Sequence, residues 1–358
     1  MKVAIITLFG LFNYGNRLQN YALQNALEKN GYEAETIAVA HDYNKLKGFI
    51  KKYIERTDKG ISVRAKVELD REKNFKKFND KYLNLRMVYS PDYKIPEEVG
   101  KNYDACVVGS DQVWNPLFWE DKEDSEHLYN FTLGFFGGKK ISYAASFGVD
   151  SLPTTWADRM LPQIRKFDAV SVREKNGQLL LKDAGIDSEV VVDPTMLLSA
   201  DEWRQVESHD VDENKKYVLC YFLGEQPDSV KEKIAEQAKT LGAEIVDIMS
   251  PENKKLYTKG PDYFLEVIDK AEMVFTDSFH ACVFSILFHT PFVVFDRQHA
   301  NKSNMNSRIL TLLNMTGFED AISGESLIIN DDFKKADIQI EIEKNKSLQF
   351  LKAELNRS

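Results

Sequence analysis

Short apolar runs alternate along the chain with stretches whose apolar residues recur every three or four positions. The runs at 2–8, 33–39, 103–108, 141–145, 169–172 and 189–192 predict strands, and 17–29, 44–56, 62–83, 154–166 and 174–184 predict helices. A polar segment at 198–216 then breaks the rhythm, as a linker with a short helix would. Beyond it the pattern restarts, with strands at 217–223, 243–248, 273–276 and 292–295 and helices at 228–241, 262–270, 279–289 and 304–314. A last helix at 336–355 is rich in Lys and Glu, with Ile338, Ile340, Ile342, Leu348, Leu351 and Leu355 assigned to its apolar side. Alternating strands and helices build right-handed βαβ units around a parallel sheet. The fold class is therefore α/β, with two Rossmann-like domains and mainly parallel sheets. At 358 residues the chain exceeds what one core usually holds. The divisions are 1–198, 199–335 and a C-terminal helix at 336–358 that returns to the first domain.

Polar residues collect where the apolar runs stop. Residues 273–295, MVFTDSFHACVFSILFHTPFVVF, read as strand, tight turn, helix, short turn, strand. Asp277 and Ser278 suit a helix cap, and His280 follows in the first turn. Open α/β sheets place ligands at such a point, because free N–H groups and the positive helix end converge there. Two readings of His280 stand side by side: a group that moves a proton or binds an anion, and a residue that caps its helix or fills the core. The first strand leads into FGLFNYGN at 9–16, where Gly10 and Gly15 give the backbone room. That loop is either a site opening or a tight connection. The third strand ends in GSDQVWNP at 109–116, with Asp111 as its only ionisable group.

Composition narrows the classes. Apolar content of 43% and charged content of 29% are ordinary for a globular protein. Cys106, Cys220 and Cys282 each lie inside an apolar run, with no CxxC and no His/Cys cluster. Reduced thiols in a cytoplasmic protein are expected, with neither disulfide nor metal site. No window suits a signal peptide or a membrane span. A net charge of -9 argues against general nucleic-acid binding. The charge is uneven, because residues 45–86 hold fourteen Lys/Arg against six Asp/Glu.

Six blocks occur in order: NYGNRLQNYALQNAL (13–27), YDACVVGSDQVWNP (103–116), KKISYAASFG (139–148), AVSVREKNG (169–177), VVVDPTMLL (190–198) and FTDSFHACVFSILFHTPFVVF (275–295). Together they resemble the polysaccharide pyruvyl transferase family, whose members have a GT-B-like fold. The resemblance implies transfer of pyruvate from phosphoenolpyruvate onto two hydroxyls of a sugar, leaving a cyclic ketal and phosphate. The acceptor implied is a glycan of a cell-surface polysaccharide precursor, held on a lipid carrier, and phosphoenolpyruvate is a co-substrate rather than a cofactor. In similar enzymes the histidine matching His280 and an arginine aligned with Arg173 hold the donor against the second domain. The sequence departs from many members at Ser278, where they have arginine, and at Ala281, where they have glycine.

On this reading His280 in its charged form protonates the donor and Asp111 takes a hydroxyl proton, although Asp111 also suits a capping role. The donor side comprises Arg173, Ser278, Phe279, His280 and Arg308. Arg308 either replaces the absent arginine or forms a surface ion pair. The acceptor side comprises Asn13, Tyr14, Gly15, Asn16, Ser110 and Asp111. The alternatives are a GT-B glycosyltransferase using a nucleotide sugar and a sugar-binding relative without catalysis. Leu46, Phe49, Ile50, Tyr53 and Ile54 recur at helical spacing among lysines. That helix either rests peripherally on the inner face of the cell membrane or packs on the core with a solvated basic face.

Overall fold

The computed structural model describes residues 1–10, 12–40, 63–118, 126–250, 252–297, 306–321 and 333–357. The basic helix expected at 44–56, and its membrane contact, lie outside the described residues. Every strand ladder among the described residues is parallel.

The first sheet contains β1 (Lys2–Ile6), β2 (Glu33–Ala40), β3 (Leu85–Tyr89), β4 (Ala105–Val108) and β5 (Lys139–Ser142), ordered β3-β2-β1-β4-β5. Parallel bridges Ile141–Ala169 and Ala145–Val172 carry it on to β6 (Ser171–Val172), which pairs with β7 (Glu189–Val190). Helices α1 (Tyr14–Lys29), α2 (Val63–Tyr82), α3 (Thr154–Ile164) and α4 (Lys175–Asp183) connect these strands. The second sheet is built from β8 (Tyr217–Tyr221), β9 (Glu244–Asp247), β10 (Met273–Thr276) and β11 (Phe292–Val294), ordered β11-β10-β8-β9. Its helices are α5 (Asp228–Leu241), α6 (Pro261–Asp269), α7 (Phe279–Phe288) and α8 (Asn306–Thr316).

Helix α9 (Phe333–Asn356) crosses back to the first sheet. Ser347 Oγ accepts from Val192 N at 3.0 Å, and Lys139 Nζ donates to the Leu355 carbonyl at 3.0 Å. Its buried residues are Phe333, Ala336, Ile340, Ser347, Phe350, Leu351 and Leu355. Ile338 and Ile342 are 66% and 44% exposed, so they leave the apolar side to which the sequence assigned them. A helix pattern tolerates such residues because two of every four consecutive positions point outward. Two parallel sheets, with loops facing each other at strand carboxyl ends and a returning last helix, give the GT-B-like arrangement.

The two halves share one core. A single apolar cluster runs from Val3 and Ile5 of β1 through Leu18 and Leu23 of α1 to Phe264 of α6 and Phe284 of α7. Tyr14 lies at its centre, stacked on Phe75 at 5.2 Å and Phe264 at 4.8 Å between ring centroids. Arg71 of α2 lies 4.7 Å over the Tyr14 ring and donates from Nη2 to the Phe12 carbonyl at 3.1 Å. Each aromatic pair adds about 0.5–1.5 kcal/mol beyond burial. The amino end of α1 is thus fixed from both halves. The cysteines are all free and buried, and burial pushes each thiol up, Cys220 to about 12.

Candidate active site

The strand-to-helix turn after β10 sets the second half's contribution. Asp277 accepts from the Leu223 and Gly224 amides, both at 2.8 Å, and from Arg297 Nε at 3.1 Å. It therefore ties the end of β8 to the turn rather than capping α7. Ser278 occupies the cap position, but its hydroxyl makes no capping bond, and its amide donates to Thr276 Oγ1 at 3.0 Å. Phe279 and His280 then open α7 and point across to the first half. The Arg173 guanidinium lies 4.5 Å over the Phe279 ring, a cation–π contact. A Cβ on Gly15 would lie 2.0 Å from His280 Nδ1, so only glycine lets α1 approach the imidazole.

The first half brings three strand ends to the same place. After β4, Ser110 Oγ donates to the Ala144 carbonyl at 2.8 Å and to Asp193 Oδ2 at 3.2 Å. Asp111 stands in a left-handed backbone at φ 67, which aspartate tolerates better than most residues. Its carboxylate accepts from Asn16 Nδ2 at 3.2 Å, Arg173 Nη2 at 3.4 Å and the Gln112 amide at 2.9 Å. After β6, Arg173 also donates from Nη1 to Asp193 Oδ2 at 2.6 Å. After β7, Asp193 accepts from the Thr195 amide and hydroxyl at 3.0 and 2.7 Å. His280 Nε2 lies 3.8 Å from Asp193 Oδ2, and it is buried without a hydrogen-bond partner.

Electrostatics follow from this packing. Burial alone would raise Asp111, but Arg173, His280 and Arg308 outweigh it, with the Asn16 hydrogen bond, and hold the carboxyl at about 2. Burial opposes ionisation of Asp193 too, yet Arg173 and His280 keep it below the ordinary range. His280 moves the other way from an ordinary acid: burial depresses it, Arg173 and Arg308 add to that, and the pull of Asp193 and Asp111 does not make up the difference. Burial therefore favours the neutral imidazole until an anion adjoins it, and the charged form expected of His280 is the one beside a phosphate. Arg308 of α8 is 3% exposed, and burial lowers it to about 10. That burial removes the reading of Arg308 as a surface ion pair. A cavity of about 50 Å³ opens beside Arg173, Asp193, Phe279 and Arg308, with an apolar wall that includes Val191 and Met196.

The structure thus brings Asp111, Arg173, Phe279, His280, Asn16 and Gly15 together. It places others differently. Asn13 caps α1, accepting from the Asn16 amide at 3.0 Å, while Tyr14 is a core residue at 1% exposure. Ser110 is wholly buried and acts on Asp193. Tyr14 and Ser110 are therefore corrections to the expected acceptor wall, because neither presents a side chain to a cleft. Arg173 belongs to the first half, as the division at 198 has it, and reaches Phe279 of the second. Two residues went unrecognised in the sequence. Asp193 holds Arg173, and its signal was an acid closing the apolar run VVVDPT at 190–195. Glu174 accepts on Oε1 from Ser146 Oγ at 3.0 Å and the Phe147 amide at 2.9 Å, fixing the loop after β5. Among the described residues, no group of three or more His, Cys, Asp or Glu side chains is placed to hold a metal ion, and no helix is long and apolar enough to cross a membrane.

Several solved structures share the chain's outline at low identity. A UDP-GlcNAc 2-epimerase from Methanocaldococcus jannaschii is 13% identical with a TM-score of 0.49, covering 96% of this chain and 93% of that one. The Neisseria meningitidis UDP-GlcNAc 2-epimerase bound to UDP-GlcNAc is 11% identical at 0.43, covering 96% and 99%. A spinosyn rhamnosyltransferase complexed with thymidine diphosphate is 13% identical at 0.40, covering 99% and 95%. No curated protein matches the chain. The family model described as polysaccharide pyruvyl transferase matches residues 13–299, a span that holds Gly15, Asp111, Arg173, Asp193 and His280. The chain belongs to the polysaccharide pyruvyl transferase family.

Proposed function

We propose that the protein is a cytoplasmic enzyme that moves pyruvate from phosphoenolpyruvate onto two hydroxyls of a sugar, carried on a lipid-linked polysaccharide precursor, as a cyclic ketal. The observation that carries this reading is the meeting of Arg173, Arg308 and a buried His280, whose Nε2 has no hydrogen-bond partner, at the carboxyl ends of both sheets. A donor with a carboxylate and a phosphate suits two guanidinium groups, which bind such anions with paired hydrogen bonds. The donor lies against Arg173, Arg308, Phe279 and the α7 amino end at Ser278, and the acceptor enters along Asn16 and Asp111.

The phosphate dianion draws His280 into its charged form. The imidazolium gives its proton to the donor's methylene carbon, C2 becomes electrophilic, and one acceptor hydroxyl adds to it. The C2–O bond to phosphate breaks with the electron pair leaving on oxygen, and the second hydroxyl closes the ketal. One hydroxyl proton restores the imidazolium and the other leaves with the departing phosphate. Asp111 receives a hydroxyl proton only after Arg173 turns from it to the donor, because a carboxylate held at about 2 is a weak base. No step as written needs a metal.

The test is calorimetric titration with phosphoenolpyruvate, followed by phosphate release in the presence of a glycolipid acceptor pool. Binding and acceptor-dependent release are expected. Protection by UDP- or GDP-sugars without binding of phosphoenolpyruvate would overturn the reading in favour of a glycosyltransferase.

A further inference from the structure

The mechanism leaves one buried cation of this region unused. Arg17 belongs to the first turn of α1, and it is 0% exposed. Its guanidinium folds back and lies 4.2 Å over the Phe9 ring. Nη2 donates to the Leu8 carbonyl and to Asn16 Oδ1. Nε and Nη1 are both buried with no hydrogen-bond partner. Asp111 is the carboxylate that acts on it, yet both Asp111 oxygens are already engaged by Asn16, Arg173 and the Gln112 amide.

A buried guanidinium with unmet donors is held at a cost, and an apolar side chain would pack against Phe9 without it. The residue makes physical sense if a ligand supplies the missing acceptors. A second feature points the same way. The sixteen-residue helix α1 carries no acidic residue in its first turn, and its cap is the neutral Asn13 side chain, which takes the Asn16 amide and adds no charge to offset the positive end. Arg17 lies behind Asn16, on the first-half wall, whereas Arg173 and Arg308 flank Phe279.

We infer that Arg17 and the amino end of α1 bind a phosphate or diphosphate group of the acceptor, at a subsite separate from that of the donor phosphate. This inference rests on the proposed acceptor side of the same site and specifies its chemistry. The acceptor is a sugar carried on a phosphate or diphosphate rather than a neutral glycan chain. A lipid carrier and a nucleotide both present that group.

Inorganic pyrophosphate is titrated by calorimetry into wild-type protein and Arg17→Gln, each with and without saturating phosphoenolpyruvate. One charge-assisted hydrogen bond corresponds to roughly 10- to 100-fold in affinity. The variant is expected to weaken pyrophosphate by that factor while phosphoenolpyruvate affinity stays within about twofold. Geranyl diphosphate and UDP in parallel arms separate a lipid carrier from a nucleotide, and tighter binding of either supports the subsite. Failure of wild type to bind pyrophosphate, an unchanged variant, or equal weakening of both ligands overturns it. Loss of phosphoenolpyruvate binding in wild type, with pyrophosphate binding intact, sinks the pyruvyl reading and leaves this one standing. If Arg17→Gln does not fold, Arg17→Lys keeps the charge but only one nitrogen, and unchanged pyrophosphate affinity in that variant also overturns the inference.

Discussion

Gly15→Ala tests the geometry of the site with one methyl group. The added Cβ would stand 2.0 Å from His280 Nδ1, 2.2 Å from Cγ and 2.6 Å from Cε1. Real contacts of this kind begin near 3.0 Å, so the imidazole must retreat by about 1 Å. It has little room to do so, because Phe279 meets it edge-on at 5.3 Å and Asp193 lies at 3.8 Å. A displacement of that size at a reacting group costs about 100-fold in turnover. Stability should respond far less. Overpacking costs about 1–3 kcal/mol, while replacing a helical glycine by alanine returns about 1 kcal/mol. The net loss expected is therefore about 0–2 kcal/mol. Gly10→Ala is the control, since nothing lies within 4 Å of its added methyl. Phosphate release, donor titration and thermal melting on one preparation read all three effects. If Gly15→Ala keeps release and donor affinity within twofold of Gly10→Ala, then His280 does not sit against α1 in the working enzyme.

His280→Asn should keep the fold yet lower turnover at least about 100-fold; turnover at the wild-type rate would rule out proton transfer by this residue. Donor binding near pH 7 should take up a proton, because burial depresses the empty-site imidazole and a bound dianion raises it. Affinity then falls as pH rises through the bound-state pKa, and binding enthalpies that do not differ between phosphate and Tris buffers would refute this coupling. Asp111 drops from an ordinary 3.8 to about 2, so it contributes roughly 2 kcal/mol of stability above pH 4, lost as pH falls through about 2. Urea midpoints of Asp111→Asn should accordingly fall less steeply than wild type between pH 4 and pH 2; parallel slopes would contradict the ion pairing with Arg173.

Local pattern carried most of the architecture, and distance in sequence hid most of the site. Helix α5 begins and ends where its periodicity places it, and Gly242 takes the left-handed cap at φ 62. The strand, turn and helix from Met273 to Phe288 also match their pattern, because an unbroken apolar run leaves few alternatives. Strand β3 was not legible. LRMVY has one buried residue and follows a long basic helix, so neither hydrophobicity nor a turn signal marks it. What makes it a strand is its ladder to β2, from Thr36–Leu85 to Ala40–Tyr89.

The site shows the same division. His280 and Asp111 stood out as polar residues at strand ends, a position with its own physics. Asp193 did not, since its importance comes from Arg173, 20 residues away, and Ser110, 83 residues away. Tyr14 was misread for the opposite reason. An aromatic residue in a glycine-containing loop suggests a ligand platform, but Phe75 and Phe264 arrive from both halves and close over it.

The buried arginines around Asp111 differ in how far their charge is met. Arg173 meets two carboxylates, and their attraction lifts its pKa despite burial. Asp111 pulls on Arg17, and Glu174 and Asp111 pull on Arg308, but burial outweighs them and lowers the two to about 9 and about 10. Ionisation is therefore favoured at Arg173 and opposed by burial on either side of it. Arg17 belongs to α1 in the first half and Arg308 to α8 in the second. On the proposed reading the acceptor phosphate meets Arg17 and the donor meets Arg308, so the two anions are held from opposite halves. They adjoin where α1 touches His280 through Gly15, and that contact also sets the proton-bearing group against the donor.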